Sequence, residues 1–168
     1  MGDNNIVIGI DPSATHIAFV IFYPNETWEV VAAKKLGKSG PESCCQARLL
    51  TLATIDKARK TWKDGIVHCF YELPVLGRGG FRSTIVQCFT SGAVQGAIHE
   101  RECSSYTVNV SSWKKAVVGK GNADKSQVAE FLRLRWNALY TAAEGNQDIY
   151  DATAIALYGR QILAKGVA

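Results

Sequence analysis

The hydrophobic residues of this chain form short apolar runs that alternate with stretches of helical spacing. The first three runs lie at 6–10, 16–23 and 28–36, and the short connections between them favour antiparallel strands. Two further runs, 66–71 and 106–110, each follow a stretch with helical periodicity. This order predicts an α/β fold, with a five-stranded mixed sheet (three antiparallel strands, then parallel strands) flanked by helices on both faces.

The helical stretches complete this prediction. The predicted helices cover 41–63, 83–102, 123–137 and 148–164, with a short helix that starts at 111–113 and is broken by 119–122. Ser83 is the predicted cap of the second helix, and 141–145 is predicted as a loop. No repeat or linker interrupts the sequence. We therefore expect residues 1–168 to form a single domain.

Composition narrows the class of protein without identifying it. Of the 168 residues, 47% are hydrophobic, which predicts a globular protein, and the formal net charge of +4 is compatible with a polyanionic partner. Five cysteines without zinc-ligand spacing indicate reduced thiols, and hence a cytoplasmic protein. The sequence contains no run of membrane-spanning length and no predicted signal peptide, so we expect no membrane association.

Two of the predicted strands end in a carboxylate. Asp11 follows the apolar run 6–10 and precedes Pro12, and Glu72 follows the run 66–71. A buried strand that ends in an acid can deliver charge to a site at the edge of the sheet. A turn aspartate before proline is the alternative interpretation of Asp11. Gly9, which has no side chain, predicts that another element packs closely against the first strand.

The last predicted helix contributes two more acids. Asp148 and Asp151 are three residues apart and therefore share one helix face. Four carboxylates in one place repel each other unless cations neutralise them, and their hard oxygen atoms suit Mg²⁺ or Mn²⁺. Two such ions can support phosphodiester hydrolysis. The alternative for Asp148 alone is a favourable interaction with the helix dipole, worth ~0.3–1 kcal/mol.

A lysine-rich, glycine-broken stretch at 117–126 has some likeness to a nucleotide-binding P-loop. That motif requires glycine before the Lys-Ser pair, and Asp124 stands there instead, so we expect no nucleotide cofactor. The lysines nevertheless gather positive charge that suits a phosphate backbone, and a solvated surface is the alternative. These lysines are Lys114, Lys115, Lys120 and Lys125.

Taken together, these stretches resemble the RuvC family of Holliday-junction resolvases, which have the RNase H-like fold. The resemblance is carried by residues 8–12, 71–72, 114–128 and 148–156, with matching order and spacing over nearly the whole chain. It implies a Mg²⁺-dependent endonuclease with two ions per active site, in which Mn²⁺ can substitute. It also implies a homodimer that cleaves four-way DNA junctions during recombination and repair. The implied metal ligands are Asp11, Glu72, Asp148 and Asp151.

The resemblance assigns roles to basic residues as well. It implies that Lys125 acts at the scissile phosphate, and that Lys114 also binds phosphate. Family members tend to carry an aromatic residue shortly after the glutamate, whereas here residues 73–76 are Leu-Pro-Val-Leu and are followed by a Gly- and Arg-rich stretch. This departure indicates a divergent member, and a phage origin is compatible with it. The DNA-contacting residues expected from the lysine-rich stretch and from the 73–82 loop are Lys114, Lys120, Lys125, Arg78, Phe81 and Arg82.

Phe81 has two interpretations. It could stack on a base that is unpaired at the junction, or it could be buried beneath its loop. The predicted helix 83–102 also has two, because Gly92 and Gly96 lie one turn apart. These glycines could admit a helix of a second copy of the chain, or the helix could simply pack closely on the chain's own sheet.

Three alternative functions are open at this point. An RNase H-fold nuclease acting on flaps or forks would use the same acids. An actin-like or sugar-kinase ATPase also begins with an apolar strand that ends in Asp, but it would need glycine after that Asp and a second similar half. A catalytically inactive DNA-binding module would not need the complete acid set.

Overall fold

The structure is a computed structural model that describes residues 4–37, 40–74 and 81–166. In these ranges five strands form one sheet in the order β3-β2-β1-β4-β5. Strands β1 and β2 pair antiparallel, as do β2 and β3, whereas β4 runs parallel to β1 and β5 runs parallel to β4. The strands are β1 (Asn5–Pro12), β2 (His16–Phe22), β3 (Trp28–Lys35), β4 (Ile66–Glu72) and β5 (Ser104–Val108). The predicted mixed sheet is confirmed.

Helices cover both faces of this sheet. They are α1 (Gly40–Thr61), α2 (Phe81–Glu100), α3 (Val110–Val118), α4 (Lys125–Arg135), α5 (Asn137–Ala142) and α6 (Gln147–Ala164). Alternate residues of β1 enter different cores, because successive side chains of a strand point to opposite faces. Ile6, Ile8 and Ile10 pack with buried residues of α1 and α2. Val7 packs with buried residues of α3 to α6.

Local capping chemistry moved several predicted boundaries. The fifth strand was predicted at 106–110 but ends at Val108, because Asn109 caps α3 and its side chain accepts a 2.9 Å hydrogen bond from the Ser111 amide. Helix α2 begins at Phe81, two residues before Ser83, so the prediction that Ser83 caps this helix is wrong and Phe81 lies in its first turn.

The helix predicted at 123–137 was wrong at both ends. Asp124 is the cap of α4 and forms a capping box with Gln127, so the helix starts at Lys125. Trp136 leaves the helical region, with φ −137° and ψ 49°, which ends α4. The short helix α5 then follows, and it extends into the stretch that was predicted as the loop 141–145. The predicted break after α3 is confirmed, since Gly119 adopts φ 89° at its end.

The contact between β1 and α6 is very close. A methyl group built on Gly9 would overlap the Ala152 carbonyl oxygen and lie 2.6 Å from the Ala156 amide nitrogen. Any side chain at position 9 would therefore force the helix away from the strand. The close approach predicted from Gly9 is confirmed, and it brings the first turns of α6 to the C-terminal end of β1.

In contrast to Gly9, two glycines of α2 lie on the outer surface of their helix. Among the described residues, no atom lies within 4 Å of a methyl group built on Gly92 or Gly96, so these glycines do not contact the chain's own sheet. Helix α2 itself does pack on the sheet, through buried residues that include Val94 and Ile98. Among the described residues, no helix combines the length and the apolar character needed to cross a bilayer.

Candidate active site

Asp11 and Glu72 lie side by side at one edge of the sheet. The parallel register of β1 and β4 pairs Ile10 with Tyr71, which places the next residue of each strand, Asp11 and Glu72, in neighbouring positions. Ile10 and Tyr71 point into the core beneath α1 and α2. Because side chains alternate along a strand, the two carboxylates point to the other face, which α3 and α6 cover.

Helix α6 begins where these two strands end. Its cap is Asn146, whose side-chain oxygen accepts hydrogen bonds from the amides of Asp148 at 3.0 Å and Ile149 at 3.3 Å. Asp148 therefore lies in the first turn, where the helix dipole also favours an acid. Asp151 follows one turn later, directly before the Ala152 that packs on Gly9.

The electrostatics place all four acids in one neighbourhood. Burial of the Asp11 carboxyl raises its pKa well above the ordinary value, and the negative charges of Asp151, Glu72 and Asp148 raise it further. Lys125 opposes this shift. An acid that is surrounded by three others is costly to ionise unless a cation compensates it.

Asp151 shares the same surroundings. Burial raises its pKa, while a hydrogen bond from Gln147 and the charges of Lys114 and Lys125 lower it. Two lysines thus act on the acids from the side of α3 and α4.

Two donors that the sequence analysis did not identify hold the carboxylates. The Trp113 indole Nε1 of α3 donates a 3.0 Å hydrogen bond to Oε2 of Glu72. The Gln147 side-chain amide donates a 3.0 Å hydrogen bond to Oδ1 of Asp151. Gln147 lies just before the predicted helix 148–164, and its place one turn before Asp151 became apparent only because α6 begins at Gln147 in the structure. No sequence pattern relates Trp113 to Glu72, because 41 positions separate them and tertiary packing alone brings them together.

The predicted phosphate-binding lysines differ in their surroundings. Lys125 is the first residue of α4 and is exposed. The Lys114 Nζ donates a 2.7 Å hydrogen bond to the Ala123 carbonyl and is half-buried. Lys120 is exposed. Hydrogen bonds from the Ser126 hydroxyl and the Gln127 amide lower the pKa of Asp124, and the charge of Lys120 adds a smaller contribution.

The predicted DNA-contacting residues near α2 are only partly described. Phe81 is 81% exposed, so the prediction that it is buried beneath a loop is wrong. Arg82 is exposed and lines an open trough of about 770 Å³ that also includes Lys35 and Thr15. Arg78 lies outside the described residues.

The donor set fits a hard divalent cation. Within the described ranges, no three His, Cys, Asp or Glu side chains converge closely enough to ligate an ion in the present conformation. The acids nevertheless lie close enough to raise the pKa of Asp11, and carboxylate oxygens are the ligands that Mg²⁺ and Mn²⁺ prefer.

The mixed sheet with helices on both faces is the RNase H-like fold. A family model described as "Crossover junction endodeoxyribonuclease RuvC" matches residues 74–158, about half of the chain. The chain therefore belongs to the RuvC family. No curated protein matches it.

Solved structures agree with this assignment at the level of the fold. A Thermus thermophilus RuvC structure matches with 22% identity and a TM-score of 0.73, covering 97% of this chain and 98% of that one. Thermus thermophilus RuvC in complex with a Holliday junction substrate matches with 20% identity and a TM-score of 0.74, covering 98% of each chain. The yeast mitochondrial Holliday junction resolvase Ydc2 has 12% identity and a TM-score of 0.57, covering 96% of this chain and 82% of that chain.

Proposed function

We propose that this protein resolves four-way DNA junctions by metal-dependent phosphodiester hydrolysis at Asp11, Glu72, Asp148 and Asp151. The observation that carries the proposal is the Asp11 carboxyl at the end of β1, where burial and the three other acids raise its pKa. A cluster of like charges at the end of a buried strand is unfavourable unless the site binds cations. The RuvC family membership supplies the substrate class.

The acids would hold Mg²⁺, for which Mn²⁺ can substitute, with two ions per active site. Bound ions of this kind lower the pKa of a water nucleophile and stabilise the leaving oxygen. Lys125, which is exposed beside the acids, is placed to interact with the phosphate and to stabilise the charge that develops on it. We expect the single domain to work in the cytoplasm, without a nucleotide cofactor and without a membrane partner.

The decisive experiment compares Asp11→Asn with Asp64→Asn on a synthetic four-way junction. Asp64 is an exposed acid that precedes the N-terminal end of β4, and so lies away from the proposed site. We expect Asp11→Asn to abolish incision in Mg²⁺ while junction binding, measured in Ca²⁺, is retained. Asp64→Asn should behave as the wild type. Mg²⁺-dependent incision by Asp11→Asn at the wild-type rate would contradict the proposal.

Asp11→Asn also tests how the Asp11 carboxyl affects the stability of the metal-free protein. Because the pKa of Asp11 is raised in the folded state, the folded chain holds this proton more tightly than the unfolded chain does. Stability of the metal-free wild type should therefore fall relative to Asp11→Asn as the pH rises above the ordinary value of 3.8, and the variant should keep only the smaller loss that comes from the raised pKa of Asp151. Thermal unfolding at several pH values, in chelator, measures the difference.

A comparison of several branched DNA substrates tests the second candidate function, cleavage of flaps or forks. An RNase H-fold nuclease for flaps or forks would use the same acids, so the active-site variants do not separate the two. Single-turnover rates on a four-way junction, a flap, a fork and a plain duplex of matched sequence do. We expect paired, symmetric incisions and the highest rate on the four-way junction.

We further propose a homodimer in which α2 packs against α2 of a second copy. Phe81, Ile85 and Phe89 recur every four residues along α2 and are 81%, 38% and 61% exposed. Gly92 and Gly96 continue this surface and leave space for a helix to approach. A contiguous apolar helix surface of this kind is typical of an interface, and a two-fold axis would hold two active sites at a fixed separation.

Sedimentation of Phe89→Asp tests the dimer. Leu134→Asp is the matched control, because Leu134 on α4 is 64% exposed and lies away from this surface. We expect Phe89→Asp to be a folded monomer and Leu134→Asp to remain dimeric. A wild type that is monomeric at micromolar concentration, both free and on DNA, would contradict the proposal.

A further inference from the structure

We infer that Trp113 is a positioning residue that fixes the Glu72 carboxylate for metal binding. Its indole Nε1 donates a 3.0 Å hydrogen bond to Oε2 of Glu72, and the side chain is only 1% exposed. The hydrogen bond fixes the orientation of the Glu72 carboxylate through one of its two oxygens. The inference rests on the proposed function, since it assumes that Glu72 is a metal ligand.

Both partners of this hydrogen bond are held by the fold. Glu72 is the last residue of β4 and pairs with Val108 of β5, and the amide of the following Leu73 donates a 3.0 Å hydrogen bond to the Val108 carbonyl. Trp113 lies in the first turn of α3, which Asn109 caps directly after β5. The connection from β5 into α3 thus places the indole beside the end of β4.

The chemistry of the pair favours a positioning role over simple packing. An indole has one N–H group and no acceptor, and a buried N–H without a partner is unfavourable. Trp113 uses this donor on a carboxylate at the proposed site, although a purely structural residue could use a backbone carbonyl. Partners that orient a metal ligand in this way affect metal affinity without touching the metal.

Helix α3 also connects Glu72 to the segment that carries Lys125, the lysine proposed to act at the phosphate. Lys114 follows Trp113, and its Nζ lies 5.5 Å from the centroid of the indole ring. That Nζ also donates a hydrogen bond to the carbonyl of Ala123, which precedes the Asp124 cap of α4 and Lys125. Trp113 therefore stands between a proposed metal ligand and the segment that carries Lys125.

Trp113→Phe removes the N–H group while keeping an aromatic ring. The matched control is Trp62→Phe, because Trp62 donates an equivalent 2.7 Å hydrogen bond to the Asn4 side chain, near the start of β1 and away from the acids. Calorimetric titration with Mn²⁺ in the absence of DNA measures metal affinity directly. Junction affinity in Ca²⁺ and thermal unfolding in chelator are measured on the same samples.

We expect Trp113→Phe to weaken Mn²⁺ binding by roughly 10–100-fold, the usual effect of removing such a partner. Trp62→Phe should leave Mn²⁺ affinity unchanged. In the Glu72→Gln background, Trp113→Phe should cause little further loss, because both changes act on one interaction. Equal Mn²⁺ affinity of wild type and Trp113→Phe would overturn the inference, as would an undiminished loss in the Glu72→Gln background.

A replacement variant and a comparison with Asp11→Asn distinguish the possible reasons for a negative result. If Trp113→Phe does not fold, Trp113→Met replaces it, because methionine is a flexible apolar side chain that fills irregular core space and lacks the donor. If wild type and Asp11→Asn bind Mn²⁺ equally, the proposed function fails at the metal site itself. If Asp11→Asn loses Mn²⁺ binding and Trp113→Phe does not, only the positioning role of Trp113 fails.

Discussion

Two pairs of glycines on opposite sides of the sheet have opposite surroundings. Gly9 on β1 and Gly159 on α6 lie in closed contacts, where an added methyl group would overlap Ala152 or approach the Phe70 ring to 2.5 Å. Gly92 and Gly96 on α2 have open space around them. In both regions the missing side chain permits close approach, but only the β1–α6 contact is completed within the chain.

The closed contact belongs to the proposed active site, and the open surface belongs to the proposed dimer interface. The closed contact brings α6 against β1 and so brings Asp148 and Asp151 to Asp11. The open surface of α2 carries exposed Phe81, Ile85 and Phe89 and is suited to a second copy. The predictions below test each half of this comparison.

Among the variants that test this comparison, Lys125→Ala is expected to have the largest effect on the cleavage rate. Lys125 lies beside the acids, on the face of the sheet that α6 covers. Removal of a group that stabilises developing transition-state charge typically slows the chemical step by about 10²–10³-fold. Single-turnover rates at saturating protein should fall by this order, while the dissociation constant for the junction changes much less. An unchanged rate with weaker binding would make Lys125 an ordinary backbone contact.

Gly9→Ala should break the closed contact. The new methyl group meets the backbone of α6, which cannot move away as a flexible side chain could, so we expect a loss of about 1–3 kcal/mol or more in the free energy of unfolding. Because α6 carries two of the proposed ligands, cleavage should fall further than the fraction of unfolded protein explains. Denaturant unfolding and single-turnover cleavage of the same preparation separate the two losses.

Phe81→Ala probes the end of the open surface that lies nearest the site. If Phe81 stacks on a base at the junction centre, its removal costs ~1–3 kcal/mol per stacked base, and the cleavage rate on four-way junctions should fall by about tenfold. A fluorescent adenine analogue at the crossover should brighten less with the variant than with wild type. Loss of dimer without a change in this signal would instead assign Phe81 to the interface alone.

The smallest effect is expected for Gly92→Ala, which mirrors Gly9→Ala on the open side. Alanine is favoured over glycine in an exposed helix interior by about 1 kcal/mol, so the monomer should become slightly more stable. The added methyl group should at the same time weaken self-association, which sedimentation measures. A destabilised monomer would show that Gly92 packs within its own chain. Gly92 and Gly9 would then both lie in closed contacts, which would contradict the comparison.

The sequence by itself determined the sheet and its mixed strand directions, because apolar runs, turn signals and alternating helical periodicity are local patterns. It also predicted that strands ending in Asp11 and Glu72 and a helix carrying Asp148 and Asp151 would bring these acids together. Element ends were less predictable where a capping side chain overrode the periodicity, as Asn109 and Asp124 did.

Only the tertiary structure decided whether Gly92 and Gly96 face the chain's own sheet and which side chain donates a hydrogen bond to each acid. The sequence predicted a close contact at Gly9 but left the role of Gly92 open, and in the structure Gly9 faces a helix of the same chain whereas Gly92 has open space around it among the described residues. The hydrogen bond from Trp113 to Glu72 joins residues 41 positions apart, at distances that strand pairing and helix packing set together. Such contacts are properties of the assembled fold, so no local pattern in the chain could have specified them.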